Sequence, residues 1–139
     1  MQQSLFFDEI NHDWYNAPKK PVEDMDSELE IMFDAQRALM EACGVQDIPA
    51  DIALVVTSNA LAAEVAESTE FFNDITKPWK KVLAVDVEHS KEEVIDEFHF
   101  VMQKAIILGM TWEEFFALYM KKNSVNWQRI NQKLRGANA

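Results

Sequence analysis

Apolar residues recur along this chain at the three-and-four spacing of helices, and no stretch alternates convincingly between apolar and polar as a half-buried strand would. The first periodic run carries Leu29, Met32, Phe33 and Leu39; it predicts a helix capped by Asp26 or Ser27 and stopped at Gly44. After Pro49 the run DIALVVTSNALAAEVAESTEFFND predicts a second helix, ended by the turn Thr76-Lys77-Pro78. Ser90 with Glu93 three residues on has the form of a capping box and predicts a third helix reaching Gly109. Thr111 with Glu114 repeats that signature ahead of EEFFALYMKKNSVNWQRINQKL, a fourth helix that should fray at Gly136. Three glycines and four prolines in the whole chain agree with an all-α, four-helix-bundle-like fold. The organisation expected is an irregular arm over 1–25 containing Lys19-Lys20 between Pro18 and Pro21, a helical domain over 26–135, and a flexible tail over 136–139.

Composition narrows the picture. At 139 residues, 48% hydrophobic and 11% aromatic, the chain suffices for one packed domain. It has no run of about 18 apolar residues, and MQQSLFFDEINHDWY carries acids where a secretory leader is basic, so a soluble, cytoplasmic protein without membrane contact is expected. The single cysteine, Cys43, forms no internal disulfide and belongs to no Cys/His zinc cluster; it reads as a small buried hydrophobe. A net charge of −11 argues against nucleic acid as a partner, because that binding depends on basic residues neutralising phosphates. Yet Lys77, Lys80, Lys81, Lys121, Lys122, Arg129, Lys133 and Arg135 sit in two short segments and create a local positive field.

The acids are placed with more pattern than composition requires. Glu64 with Glu67, and Glu93 with Asp96, are helical i, i+3 pairs whose Cβ atoms lie roughly 5–6 Å apart. At about 100° per residue, Phe100 falls between Glu93 and Asp96 with Ile107 on the same side, while Val94, Ile95, Phe98, Val101 and Met102 occupy the opposite face. In the second helix Val56, Ala60, Ala63 and Phe71 flank Glu64 and Glu67, and Leu54, Leu61, Val65 and Phe72 form another apolar stripe. Helices apolar on two sides belong inside a bundle, where like-charged carboxylates resist ionisation unless a cation neutralises them. Periodicity alone serves a metal centre and ordinary solvated or salt-bridged acids equally, and Glu93 has a bland role as a capping residue.

Taken together, KPWKK (77–81), EEVIDEFHFVMQKAIILGM (92–110), EEFFALYMKKNSVNWQR (113–129) and LEIMFDAQRALMEA (29–42) resemble the all-α dUTPase family, part of the MazG-like group of NTP pyrophosphatases, closest to its bacteriophage dCTP/dUTP pyrophosphatase branch. The ExxE, ExxD-x-x-HF and KNxxNxxR elements occur in the family's order over roughly residues 28–130. The resemblance implies that Glu64, Glu67, Glu93 and Asp96 bind Mg²⁺, with Mn²⁺ as a substitute, in keeping with that ion's preference for oxygen. It implies that Lys77, Lys80, Lys122, Asn126 and Arg129 hold substrate phosphates, that Gln36 belongs to the nucleobase pocket, and that Trp79 neighbours the base or sugar. Lys122, Asn126 and Arg129 share one helical face in any case. The family's closing glycine-tyrosine has no counterpart in RINQKLRGANA, and VLAVDVEHS is short for the phage branch.

The activity so implied is Mg²⁺-dependent hydrolysis of dUTP, with dCTP next, to the monophosphate and pyrophosphate, Glu67 or Glu64 serving as base. A homodimer or higher homo-oligomer is implied too, in the host cytoplasm if the gene is a phage's. The alternatives are a MazG-like enzyme preferring purine deoxynucleotides and a non-catalytic helical interaction protein. His99 reads as a core or supporting histidine, His12 and His89 as surface residues, and Met102, Phe115, Phe116 and Met120 as core or subunit interface.

Overall fold

The structure is a computed structural model that describes the backbone of residues 22–76 and 87–137 and the side chains of 28–69 and 88–136. Four helices, α1 (Val22–Ala42), α2 (Ala50–Thr76), α3 (Val87–Ile107) and α4 (Trp112–Ala137), account for nearly all of it, with a short 3-10 turn at Val45–Asp47 after α1. Among the described residues there is no strand, as the periodicity predicts. No helix among them is long and apolar enough to cross a membrane.

Burial follows the helical spacing. Phe33, Gln36 and Met40 form the buried edge of α1, Ala53 and Thr57 that of α2, and Met102 and Ala105 that of α3. Phe33, Met102 and Ala105 make the centre of the core, covered by Leu29, Phe98, Ile106, Met110, Trp112 and Phe115. Phe115 meets Phe33 edge to face at a centroid distance of 5.3 Å and Phe98 at 6.5 Å. That geometry suits the ring quadrupoles and ties the start of α4 to α1 and α3. The broadest interface joins α2 to α3; α1 packs on α3, and α4 on α1.

Two glycines end helices where the pattern expects a stop. Gly44 adopts φ 75° after α1 and its N–H donates to the Glu41 carbonyl, and Gly109 adopts φ 81° after α3 with its N–H on the Ile106 carbonyl. Only a residue without Cβ takes this left-handed conformation freely. Thr111 caps α4, its Oγ1 accepting from the Glu114 N–H at 3.2 Å.

Other boundaries differ from expectation. α1 begins at Val22, ahead of Asp26 and Ser27, because VEDMD contains nothing that breaks a helix once the chain has passed Pro21. α3 begins at Val87, so Ser90 lies inside the helix and the capping box of Ser90 and Glu93 does not form. α4 runs through Gly136 to Ala137, since a single glycine lowers helix stability by only about 1 kcal/mol. The inner helices are not covered all round: among the described residues Val56, Val65, Val94 and Ile95 are exposed, because α1 and the start of α4 pack elsewhere on the α2–α3 pair. Met120 is exposed as well, beyond the end of the core.

Candidate metal centre and adjoining cavity

The interface of α2 with α3 sets the two acid pairs facing one another. One carboxylate oxygen from each of Glu64, Glu67 and Glu93 lies within 4.8 Å of the others. Asp96 stands outside that triplet but close enough for its charge to act on Glu64, and it lines the same cavity as Glu64. Glu64 and Glu93 are half-buried, whereas Glu67 and Asp96 are exposed.

The electrostatics are those of crowded acids. The Glu64 carboxyl is held above the usual carboxylate range, first by burial, then by the negative charges of Glu67, Glu93 and Asp96, and by a hydrogen bond with Glu93. Glu93 Oε1 lies 3.1 Å from His89 Nε2. Its Oε2 is buried and has no hydrogen-bond partner among the described residues. A buried carboxylate oxygen left without a donor costs free energy, and a hard cation would satisfy it. Three or four carboxylates with no thiol among them form an all-oxygen donor set that fits Mg²⁺ or Mn²⁺ and not a structural zinc site.

Cavities open on both sides of this cluster. One, about 390 Å³, is lined by Glu67, Glu93, His89 and Glu97 among others. Here Ser68 Oγ donates to Glu97 Oε1 at 3.3 Å, a link from α2 to α3. The other, about 440 Å³, has Glu64 and Asp96 on its wall together with Gln36, Cys43, His99, Phe100 and Gln103. Gln36, almost fully buried, donates through Nε2 to Gln103 Oε1 at 3.3 Å, and Gln103 Nε2 donates to Thr57 Oγ1 at 2.8 Å. His99 is fixed by its Nδ1–H on the Ile95 carbonyl at 2.9 Å, an α3 contact that leaves Nε2 as the free ring nitrogen.

The structure therefore places Gln36 on the wall of the cavity that Glu64 and Asp96 share. It does not join Lys122, Asn126 and Arg129 to the acids: all three are exposed on α4, and neither carboxylate cavity is lined by them. Lys77, Trp79 and Lys80 lie outside the described residues. Cys43 is corrected from a buried hydrophobe to an exposed thiol, because it follows the last turn of α1 instead of lying within it. His89 is on the surface, as expected, yet it touches Glu93; the i, i+4 spacing of the two was the available signal. Gln103 and Thr57 gave a weaker one, as polar residues in the apolar runs FVMQKAII and IALVVTSNALAA.

Comparison with known proteins identifies the sequence that carries this geometry. The sequence profile of the dUTPase family matches residues 28–108, the stretch that carries α1 from Glu28, α2, α3, all four acids and the cavity residues. The dCTP pyrophosphatase of Enterobacteria phage LZ5 is 42% identical over 67 residues, covering 40% of this chain and 39% of that protein. The dCTP pyrophosphatase of Enterobacteria phage T4 is 49% identical over 39 residues, 28% of this chain and 23% of that protein. The chain thus spans less than half the length of these curated relatives. No solved structure matches it significantly. With the match extending over more than half of its residues and over every element of the acid cluster, the chain belongs to the dUTPase family.

Proposed function

We propose that the chain is a divalent-metal-dependent deoxynucleoside triphosphate pyrophosphohydrolase acting on dUTP and dCTP. One observation carries this reading: carboxylates from two helices converge within 4.8 Å of one another, and a buried oxygen of Glu93 lacks a partner among the described residues. The adjoining cavity, about 440 Å³, is of the size small-molecule sites have. The dCTP pyrophosphatase names of the phage relatives and the dUTPase name of the family support the substrate class.

Glu64, Glu67, Glu93 and Asp96 would hold the ion. When bound, Mg²⁺ or Mn²⁺ lowers the pKa of a coordinated water and offsets charge on the phosphate oxygens. Glu67 is exposed where Glu64 and Glu93 are half-buried, so it is the member suited to take the proton of the attacking water. Water adds at the α-phosphorus, the bond to the bridging oxygen breaks, and pyrophosphate leaves with that bond's electron pair. Lys77, Lys80, Lys122, Asn126 and Arg129 are assigned to the phosphates, where planar arginine and compact lysine cations stabilise charge in line with the displacement. Gln36 is assigned to the base and Trp79 to the base or sugar.

A homodimer in the cytoplasm completes the proposal. Exposed Tyr119, Trp127, Ile130 and Leu134 share one face of α4, and exposed Val55, Val56, Val94 and Ile95 lie on α2 and α3; a second copy would cover such surface. The test is pyrophosphate release from a panel of dNTPs with and without Mg²⁺. Release from dUTP and dCTP that requires the ion, and is lost in folded Glu64→Gln protein, is expected. Release only from purine dNTPs, or none, would overturn the assignment.

A further inference from the structure

Three buried or half-buried polar side chains from three helices form a relay behind the cavity that Glu64 and Asp96 share. Thr57 of α2 is 2% exposed and Gln36 of α1 is 3% exposed, with Gln103 of α3 between them. The relay has a direction. Gln36 Nε2 donates to Gln103 Oε1, and Gln103 Nε2 donates to Thr57 Oγ1. A carboxamide has one accepting and one donating end, so turning either glutamine over alone would set oxygen against oxygen or nitrogen against nitrogen. Thr57 permits both to turn together, because a hydroxyl accepts or donates equally well. In the reversed sense Thr57 donates to Gln103 Oε1, and Gln103 Nε2 donates to Gln36 Oε1.

The two senses differ at the Gln36 end of the relay. In the structure that end is Gln36 Oε1, a buried acceptor with no hydrogen-bond partner among the described residues, on a side chain that lines the cavity. In the reversed sense it is an amide N–H₂ group. Cytosine and uracil differ in the same respect: the first carries a donating amino group at position 4, the second an accepting carbonyl.

We propose that Thr57 and Gln103 are positioning residues that set which end of the Gln36 amide meets the base, and that the sense found here selects a 4-amino over a 4-oxo pyrimidine. The inference rests on the nucleotide reading above and names the device by which that site tells its two substrates apart. The ligand's amino group supplies the donor that Gln36 Oε1 lacks. A 4-oxo base must first turn both amides over.

The test is the ratio of kcat/KM for dCTP to that for dUTP, measured with Mg²⁺ on the full chain and its variants. In Gln103→Glu the carboxylate only accepts, so Gln36 must donate to it; the ratio is expected to rise about tenfold, the value of one discriminating hydrogen bond. The added charge meets the same triphosphate in both substrates and drops out of the ratio. Thr57→Val keeps the side-chain volume but removes the hydroxyl, and the ratio is expected to fall toward one, while Thr57→Ser restores it. A ratio within about twofold of wild type in both Gln103→Glu and Thr57→Val, with hydrolysis retained, overturns the relay and leaves the enzyme assignment standing. Wild-type protein that hydrolyses neither substrate overturns both. If the variants lose helical circular dichroism, side-chain amide NMR of the wild type decides: dCMP and dUMP should move the Gln103 amide protons in opposite directions, and identical shifts would refute the proposal.

Discussion

The facing surfaces of α2 and α3 and the long outer helix α4 carry equally regular polar patterns, yet the fold treats them differently. On α2 and α3, Glu64 and Glu93 are half-buried, and burial with the charges of Glu67, Glu93 and Asp96 raises the Glu64 carboxyl. On α4, Lys122, Asn126 and Arg129 share a face just as neatly and are exposed. Helical spacing decides which side chains share a face, whereas only packing decides what that face meets. The acids meet those of a second helix; the cations of α4 stay exposed, where a second copy or a bound triphosphate could reach them.

The sharpest way to break this contrast is Glu64→Gln or Glu93→Gln. Loss of dNTP hydrolysis by about 10²- to 10³-fold is expected, as for removal of a charge-stabilising group, while the melting temperature of the metal-free protein holds or rises because repulsion is relieved. Steady-state rates and thermal melts check this, and a variant that keeps its rate removes the acids from the chemistry. Next in size is Phe33→Ala, which empties the centre of the core beneath both regions. It should cost about 3–5 kcal/mol in urea unfolding.

Metal should act on one region alone. Saturating Mg²⁺ at about a hundred times its Kd should stabilise the protein by about 2.7 kcal/mol at neutral pH, an effect absent from Glu64→Gln protein. The pH dependence of the metal-free form has a definite sign. The folded-state pKa of Glu64 is raised, so its stabilising contribution is complete below the ordinary carboxylate range and is lost as pH rises through the raised value. Thermal melts across that window should decline with pH in wild type and flatten in Glu64→Gln. On α4 the effects should be smallest: Lys122→Ala and Arg129→Ala are expected to raise KM for dUTP about tenfold, about 1.4 kcal/mol, with stability within about 0.5 kcal/mol of wild type. An unchanged KM would detach α4 from the substrate.

Much of the fold was legible before the structure. The end of α2 at Thr76, the glycine stops at Gly44 and Gly109 and the Thr111 cap follow from local backbone chemistry and sit where the pattern put them. The Ser90 and Glu93 capping box was misread for an instructive reason: the motif is compatible with a helix start, but VEH ahead of it is equally compatible with helix, and α3 extends back to Val87. That correction removes the bland explanation of Glu93, whose carboxylate is turned to Glu64 and His89 instead.

By itself the sequence determined the helices, their apolar stripes and the pairing of acids at i, i+3, because these depend on neighbours within a turn or two of the same chain. Tertiary structure alone decided that the carboxylates of residues 64 and 93 meet, that Glu93 Oε2 has no donor among the described residues, that Gln36 reaches Gln103 and Gln103 reaches Thr57, and that Cys43 is exposed. Those facts depend on how far each helix is rotated about its own axis when it packs. That rotation is set by the joint fit of side chains around Phe33 and Met102 and by the packing of α2 on α3, which no single stretch of sequence contains.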